Sequence, residues 1–473
     1  MREVQRNKLM RMMTAENPPI VLGNQKEPKS ESHPERKLDE SKYDEHKKEM
    51  KMPRKKSEKS EKTPEETPKE EVQEESVVDM DLVSVPDIPL PVAESATSEV
   101  TDECDVAFKY AFVGAGQAGA RMVESFWNLG YRRVCAINTT NQDLVHIKGT
   151  DDKPFPEENK LVMDIGEGGA GKDPEKGKKA IEQYYEDVYD LMRRSFGGDF
   201  ERIIVCHGAG GGTGSGSVEA LIEIAHDIAK SFKLEGGEKE PAVGALVSMP
   251  MASEGQRVNM NAAKVLDKLF SLVGRDRGKL ASRSLSPLIV VDNERINKIY
   301  PGLSVDDFWT VANRSITSLF HLFNSIAGKA SKYTVFDRAD YNDVLGSGVL
   351  TFGATPLAKF ESETDISFAI RDNVKKNILV ADLDLRAAKR AACVFVGHPE
   401  VYKSVPQKYL EHGLEMLTRI MRENSVVHRG IYPSNVKGAD GKPGMVVYTI
   451  FGELGRPEER MNEIYRLGGR VNL

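Results

Sequence analysis

Cysteine, tryptophan, long apolar runs and excess positive charge are what this sequence has little of. Its 473 residues include four cysteines and two tryptophans. The cysteines show no paired spacing, and Cys135 and Cys206 fall inside apolar strand patterns where a buried free thiol is the commonest state. That argues against a disulfide framework and leads to the expectation of a reducing cytoplasm. No apolar stretch approaches the roughly 18–20 residues that span a bilayer, and the first residues lack the compact apolar core of a secretory signal. Neither a transmembrane segment nor export is expected. The nine histidines are scattered, with no Cys and His pair at metal-ligand spacing, and Cys206-His207 reads as a core thiol beside a polar strand-end residue. Ser215 lies between glycines but out of the G-x-S-x-G register of a nucleophilic serine. With 66 Lys and Arg against 73 Asp and Glu, the net charge is -7, which gives no reason to expect nucleic acid as the principal partner. Internal repeats are not detectable.

The charge that is present is unevenly spread. From Gln25 to Glu75 the chain is almost wholly Lys, Glu, Ser and Pro, with too few apolar residues to offset the entropy of ordering. Residues 1–105 are expected to form a disordered N-terminal arm. Within it, Met1 to Met13 mixes basic and apolar residues as a short amphipathic segment for a membrane surface or protein partner would, although without a clean helical period. Val77 to Pro86 is apolar and acidic, and reads equally as a docking peptide for a sheet edge and as the approach to the folded domain.

The densest information lies in Gly208-Ala209-Gly210-Gly211-Gly212-Thr213-Gly214-Ser215-Gly216. It follows the apolar run Ile203 to Cys206 and precedes a helical pattern from Val218 to Lys230. Strand, glycine loop and helix in that order make a phosphate site: bare backbone N–H groups can approach an anion, and the helix start adds aligned donors. Thr213 and Ser215 add hydroxyls. Short β-rich runs at Tyr110 to Val113, Arg133 to Ile137, Leu161 to Ile165, Arg202 to Cys206, Val243 to Ser248 and Leu288 to Val291 alternate with helical stretches. This alternation predicts an α/β fold with a parallel sheet covered on both faces, and a ligand at the C-terminal ends of its strands. A long helical pattern, Val305 to Ile326, separates this unit from a second α+β unit with strand candidates Val349 to Phe352, Ala392 to Val396 and Met445 to Phe451.

Two other nucleotide folds compete. Gly166 to Lys172 fits a P-loop, but Asp173 stands where that loop needs a hydroxyl for Mg²⁺, and Asp173-Pro174-Glu175 reads instead as a helix start. A dinucleotide fold would use Gly114, Gly116 and Gly119, yet Asn138 holds the position of its ribose-binding acid and the second glycine loop has no purpose there.

The wording GGGTGSG at 210–216 resembles the signature loop of the tubulin and FtsZ superfamily. Other segments resemble that family's loops in matching order: Gly114 to Gly119 after the first strand, Ala136 to Leu144, Gly169 to Gly177, Met249 to Arg257, Asp292-Asn293 and Ala312-Asn313. Gly-Gln-Ala-Gly at 116–119, Asp143 and Asn261-Ala262-Ala263 lean towards the archaeal CetZ branch. The resemblance covers about three quarters of the chain. It implies a GTP-binding domain at 106–302, a central helix at 303–330 and a C-terminal activation and assembly domain at 331–473.

The resemblance also implies GTP and Mg²⁺ held between subunits of a head-to-tail homopolymer that acts in cell shape or division. Gly114, Gly116, Gln117 and Gly119, Ala170 and Gly171, and Gly210, Gly211, Gly212, Thr213, Gly214, Ser215 and Gly216 would hold phosphates. Asn138 would meet the ribose and Mg-phosphate region, Glu254 and Arg257 the sugar, and Asn293 and Asn313 would read guanine. Asp337 and Asp340, in D-x-x-D spacing after the central helix, would complete the next subunit's site by orienting the attacking water. Val335 replaces the Asn that precedes the first of these acids in FtsZ, Val258 replaces its sugar-loop arginine, and Thr140 stands where FtsZ usually has Asp. A non-hydrolysing, nucleotide-binding scaffold is therefore the alternative. The chain ends without the linker and apolar peptide by which FtsZ meets membrane adaptors, so any adaptor docking is expected to fall to the N-terminal arm.

Overall fold

The computed structural model describes residues 106–234, 240–273, 284–357, 360–377, 379–380, 383–421, 424–438 and 441–469. The expectations for the arm, residues 1–105, lie outside the described residues.

The described residues form twelve strands: β1 (Tyr110–Ala115), β2 (Val134–Asn138), β3 (Gly149–Thr150), β4 (Lys153–Pro154), β5 (Lys160–Val162), β6 (Arg202–Gly208), β7 (Ala242–Met249), β8 (Leu288–Asp292), β9 (Val349–Leu357), β10 (Arg390–Gly397), β11 (Val426–Pro433) and β12 (Met445–Gly452). Ten of them make one sheet in the order β11-β10-β12-β9-β8-β7-β6-β1-β2-β5, while β3 and β4 pair separately. From β5 through to β9 every pairing is parallel, and β12 runs antiparallel between β9 and β10. The result is the expected mostly parallel sheet with helices packed on it. β8 pairs with β9 at Leu288↔Val349 and Ile289↔Leu350.

Continuous apolar runs explain the inner strands. All six residues of β1 and all five of β2 and of β8 are buried, as expected for strands covered on both faces. The central helix forms over Val305–Ile326, where the 3.6-residue period of Phe308, Ile316, Leu319, Phe320 and Phe323 predicts it, and the Ser304 side chain caps its start. It lies against β1 through an aromatic cluster in which Phe320 meets Tyr110 edge-on at 4.8 Å and Phe126 at 5.4 Å, with Phe112 stacked on Phe126 at 3.9 Å. Replacing one of these fully buried rings by Ala would cost about 3–5 kcal/mol. At the helix's far end the Asn324 carboxamide accepts from Phe108 N and donates to Phe108 O. The central helix is thereby tied to the entry of β1.

Several elements differ from the sequence reading, β5 and β11 among them. β5 spans Lys160–Val162 rather than 161–165, because Met163 N bonds back to Asn138 O and the chain then turns into a loop where Gly166 has φ 76°. β11, Val426–Pro433, is an edge strand with mixed polarity, in which His428 and Arg429 break the apolar run that identifies the others.

Candidate nucleotide site

Strands β1, β2, β6, β7 and β8 all run the same way, so the loops after them meet at one edge of the sheet. They enclose an open cavity of about 330 Å³. Its floor is the glycine loop and the start of helix Thr213–Leu234, whose first N–H groups have no intrahelical acceptor. Gly116, with φ 70°, opens helix Gly116–Asn128 on the adjoining wall, and Gly168 to Lys172 closes the side. Gly168, Gly169, Gly171 and Lys172 in that last loop all have positive φ.

The glycines do different jobs. A Cβ on Gly211 or Gly171 would meet nothing within 4 Å, so these two leave the cavity open. On Gly114 it would come 2.3 Å from Gly119 O, and on Gly119 2.2 Å from Cys206 O, so this pair lets the first helix sit tightly on β1 and β6. Gly216 does the same for helix Pro174–Gln183, where a Cβ would lie 2.1 Å from Pro174 O. On Gly212 it would meet Ala170 Cβ and Asp173 N, both at 2.7 Å. Close packing of two loops thus fixes that position.

A polar network holds the cavity wall. Thr139 Oγ1 lies 2.7 Å from Thr213 Oγ1 and accepts from Ala170 N at 2.9 Å. Asn138 accepts from Thr139 N and from the Thr213 hydroxyl, and its Nδ2 donates to Asp143 Oδ2 at 2.8 Å. Gln117 Nε2 donates to the other Asp143 oxygen at 3.2 Å. Four segments from separate parts of the sequence, at Gln117, Asn138 to Asp143, Ala170 and Thr213, are locked by one hydrogen-bond chain. Asn261 adds a clip, donating to both Lys172 O and Gly210 O. Val258 packs on Gly210, and the neighbouring Arg257 pairs with Asp173 at 3.1 Å. Asp173 caps the helix that Pro174 opens, accepting from Glu175 N.

At the other end of the cavity, Glu254 accepts from Met251 N at 2.8 Å, and Asn293 follows Asp292, which caps helix Asn293–Ile299. Trp309 and Asn313 face in from one side of the central helix, one turn apart. A buried pair supports this end from behind: Arg460 of helix Glu458–Leu467 donates to Asp292 Oδ2 at 3.0 Å and to Pro250 O at 2.5 Å. Burial pushes the Asp292 carboxyl up to about 6 despite the opposing pull of Arg460. Burial likewise pushes the His207 imidazole down to about 4.

Of the residues singled out by sequence, Gly116, Gln117, Asn138, Ala170, Gly171, Gly210, Gly211, Gly212, Thr213, Gly214, Glu254, Asn293 and Asn313 line this cavity. Gly114, Gly119, Ser215, Gly216 and Arg257 are not on its wall; the Ser215 hydroxyl donates to Ala209 O beneath the loop. Thr139, Asp143, Arg121, Lys172 and Trp309 also line it, although their sequence context does not by itself mark them as site residues. Trp309 carries a signal in the sequence, one helical turn before Asn313, and Asp143 lies five residues after Asn138 in the segment beyond β2.

Asp337 and Asp340 are far away. Arg338 between them donates to Ala107 O and pairs with Glu201, and Asn342 accepts from Arg202. Those partners precede β1 and begin β6, so the two acids sit at the N-terminal edge of the sheet and the cavity at the C-terminal edge. The six residues of β1 separate the edges by roughly 20 Å.

Comparison with known proteins agrees with this architecture. Residues 109–274 match the model of the Tubulin/FtsZ family GTPase domain. The chain is 26% identical over 331 residues to the tubulin-like protein CetZ of Pyrococcus abyssi, covering 68% of this chain and 80% of that protein. Among solved structures, the GTPγS-form protofilament of TubZ from Bacillus thuringiensis superposes with a TM-score of 0.64 at 20% identity, covering 78% of this chain and 93% of TubZ. CetZ2 of Haloferax volcanii, as a GTPγS-bound protofilament, gives 0.58 at 19% identity, covering 76% and 98%. Sequence match and fold coincide: the chain has the tubulin/FtsZ fold, and its residues 109–274 match that family's GTPase domain.

Proposed function

We propose that this chain binds Mg²⁺-GTP in the cavity and assembles head to tail, so that Asp337 and Asp340 of one subunit close the cavity of the next and GTP is hydrolysed there. The observation that carries this reading is the separation of parts: a nucleotide cradle at one edge of the sheet and a pair of acids at the other, roughly 20 Å apart. No subunit can turn its own acids onto its own cavity. Stacking copies along the strand direction brings the two edges together. Two large apolar side chains beside the acids, Tyr333 and Val335, are exposed, as suits a surface covered on assembly.

The chemistry of the cavity fits the ligand. Open glycine positions and the start of helix Thr213–Leu234 suit phosphates. The amides of Asn293 and Asn313 offer donors and acceptors to a base, and Trp309 offers a ring face. The described residues contain no cluster of three or more His, Cys, Asp or Glu able to hold a metal. Mg²⁺ would therefore depend chiefly on phosphate oxygens with Asp143 nearby, the usual pattern for this ion. When bound, it would neutralise phosphate charge. Asp337 would then polarise the attacking water across the interface. Protofilaments formed by TubZ and CetZ2 support the same mode of assembly here. A role in division or cell shape follows only from that kinship and is proposed with it.

Sedimentation of purified protein with GTP, GDP or ATP, with phosphate release measured in the same tubes, tests the reading. Pelleting and phosphate release with GTP alone are expected. Pelleting without phosphate release would favour the non-hydrolysing scaffold, as the replacements at Val335 and Val258 would allow.

A further inference from the structure

His428 lies between two carboxylates. Its Nδ1 is 2.8 Å from Asp340 Oδ1, and its Nε2 is 3.1 Å from Asp343 Oδ2. Asp343 Oδ2 is also 2.7 Å from Arg390 Nε. A continuous chain thus runs from Arg390 on β10, through Asp343 and His428, to Asp340. Burial raises the Asp343 carboxyl, but the hydrogen bonds from His428 and Arg390 outweigh it and leave the group below the ordinary carboxylate range. The chain is fixed at its Arg390 end by a firmly ionised pair.

At its other end the two acids of the D-x-x-D loop are bonded to each other's backbone. Asp337 Oδ1 accepts from Asp340 N at 2.9 Å, and Asp340 Oδ2 accepts from Asp337 N at 3.2 Å. With His428 on Oδ1, both oxygens of Asp340 are engaged. The second oxygen of Asp337 has no hydrogen-bond partner among the described residues. One acid is anchored and the other presents a free oxygen.

We propose that His428 is a positioning residue for the shared active site: it holds Asp340, and through the reciprocal cap it fixes the orientation in which Asp337 faces the nucleotide of the neighbouring subunit. The inference rests on the shared-site reading. Its chemistry is specific to one ring nitrogen. Nδ1 reaches the loop, while Nε2 reaches only Asp343. Asn and Gln separate the two, because the amide nitrogen of Asn falls near the place of Nδ1 and that of Gln near Nε2.

The experiment compares His428→Asn, His428→Gln and Asp340→Ala in the full chain, measuring GTP affinity, pelletable polymer, melting temperature and kcat at saturating GTP. His428→Asn should keep kcat within about threefold of the parent, whereas His428→Gln should lose ~10–100-fold, the range for a small misplacement of a catalytic group. GTP affinity, polymer and melting temperature should match in the two variants. A simple tie between helix and strand would instead lower melting temperature and activity equally in both. Equal kcat in the Asn and Gln variants, whether high or low, overturns the proposal. If Asp340→Ala is inactive while both His428 variants are normal, the inference fails and the shared site stands. Normal turnover in Asp340→Ala removes both.

Discussion

Gly211 offers the sharpest single test of the cradle. A Cβ there meets nothing within 4 Å, and its φ is not in the left-handed region, so Gly211→Val fits the free fold with little strain. A side chain placed on an exposed loop of this kind should change stability by no more than about 0.5 kcal/mol. It would nevertheless stand in the space a phosphate needs. If it displaces two hydrogen bonds to a charged acceptor, at about 1.5–3 kcal/mol each, affinity falls by about 3–6 kcal/mol, or ~10²–10⁴-fold. Gly212→Ala is the instructive contrast, because its Cβ would strike Ala170 Cβ and Asp173 N at 2.7 Å. That variant should lose stability as well as affinity. Lys172→Ala removes a flexible cation from the rim and should weaken GTP binding by about tenfold or less, far below the loss expected for the lysine of a P-loop. Isothermal titration with GTP, GDP and ATP, run beside thermal melts, reads all three. Intact GTP binding in Gly211→Val together with complete loss in Lys172→Ala would refute the assignment of the glycine loop as the phosphate cradle.

Two further outcomes follow from buried charge. His207 and His321 are both held down to about 4 by burial; in the native state they bind fewer protons than the unfolded chain between about pH 4 and 6.5, so stability falls as pH falls through that window, by about 3 kcal/mol for each. Asp292, pushed up to about 6, acts with the opposite sign between about pH 4 and 6 and offsets about one histidine's share, so urea unfolding at pH 4.5 and 7 should show a net loss at the lower pH, reduced in His321→Gln. Arg460→Met should cost about 3–5 kcal/mol because it strands the Asp292 carboxylate, and Asp292→Asn in the same chain should recover most of it. Full stability in Arg460→Met alone would show that the pair is not what joins the C-terminal helix to the Pro250 and Asn293 loops.

The legible part of this fold was the part in which local pattern and tertiary role coincide. β1, β2, β6, β7 and β8 are buried on both faces, so each contains a continuous apolar run, such as Ile203 to Cys206 in β6. The Val305–Ile326 helix is one long amphipathic period. β11 is not legible in the sequence because an edge strand needs no continuous apolar run, and His428 lies on it. Within the glycine motifs, sequence showed that side chains were excluded but not by what. Gly211 faces open space while Gly119 faces the Cys206 carbonyl, a distinction that exists only once helix and strand are packed. The role of Thr139 is hidden for a similar reason: its bonds to Thr213 and Ala170 span 74 and 31 residues. The sequence implies the distance between Asp337 and the cavity only through kinship, whereas the contacts of Arg338 with Ala107 and Glu201 place the loop at the opposite edge.

Complementation between defective subunits tests the shared site most directly. Asp337→Ala keeps the cradle and removes the outward acid; Gly211→Val keeps the acids and blocks the cradle. Each alone should hydrolyse GTP far more slowly than the parent chain, with Asp337→Ala retaining GTP affinity and forming long-lived polymer. Mixed in equal amounts, the two should regain turnover, since in half of the head-to-tail contacts of a random copolymer an intact acid meets an intact cradle or a defective acid meets a defective one, and the former are competent. Phosphate release from the mixture that clearly exceeds the sum of the separate proteins is the predicted result. Turnover in the mixture no higher than that sum, with both variants shown to co-pellet, would contradict a site completed by the neighbouring subunit.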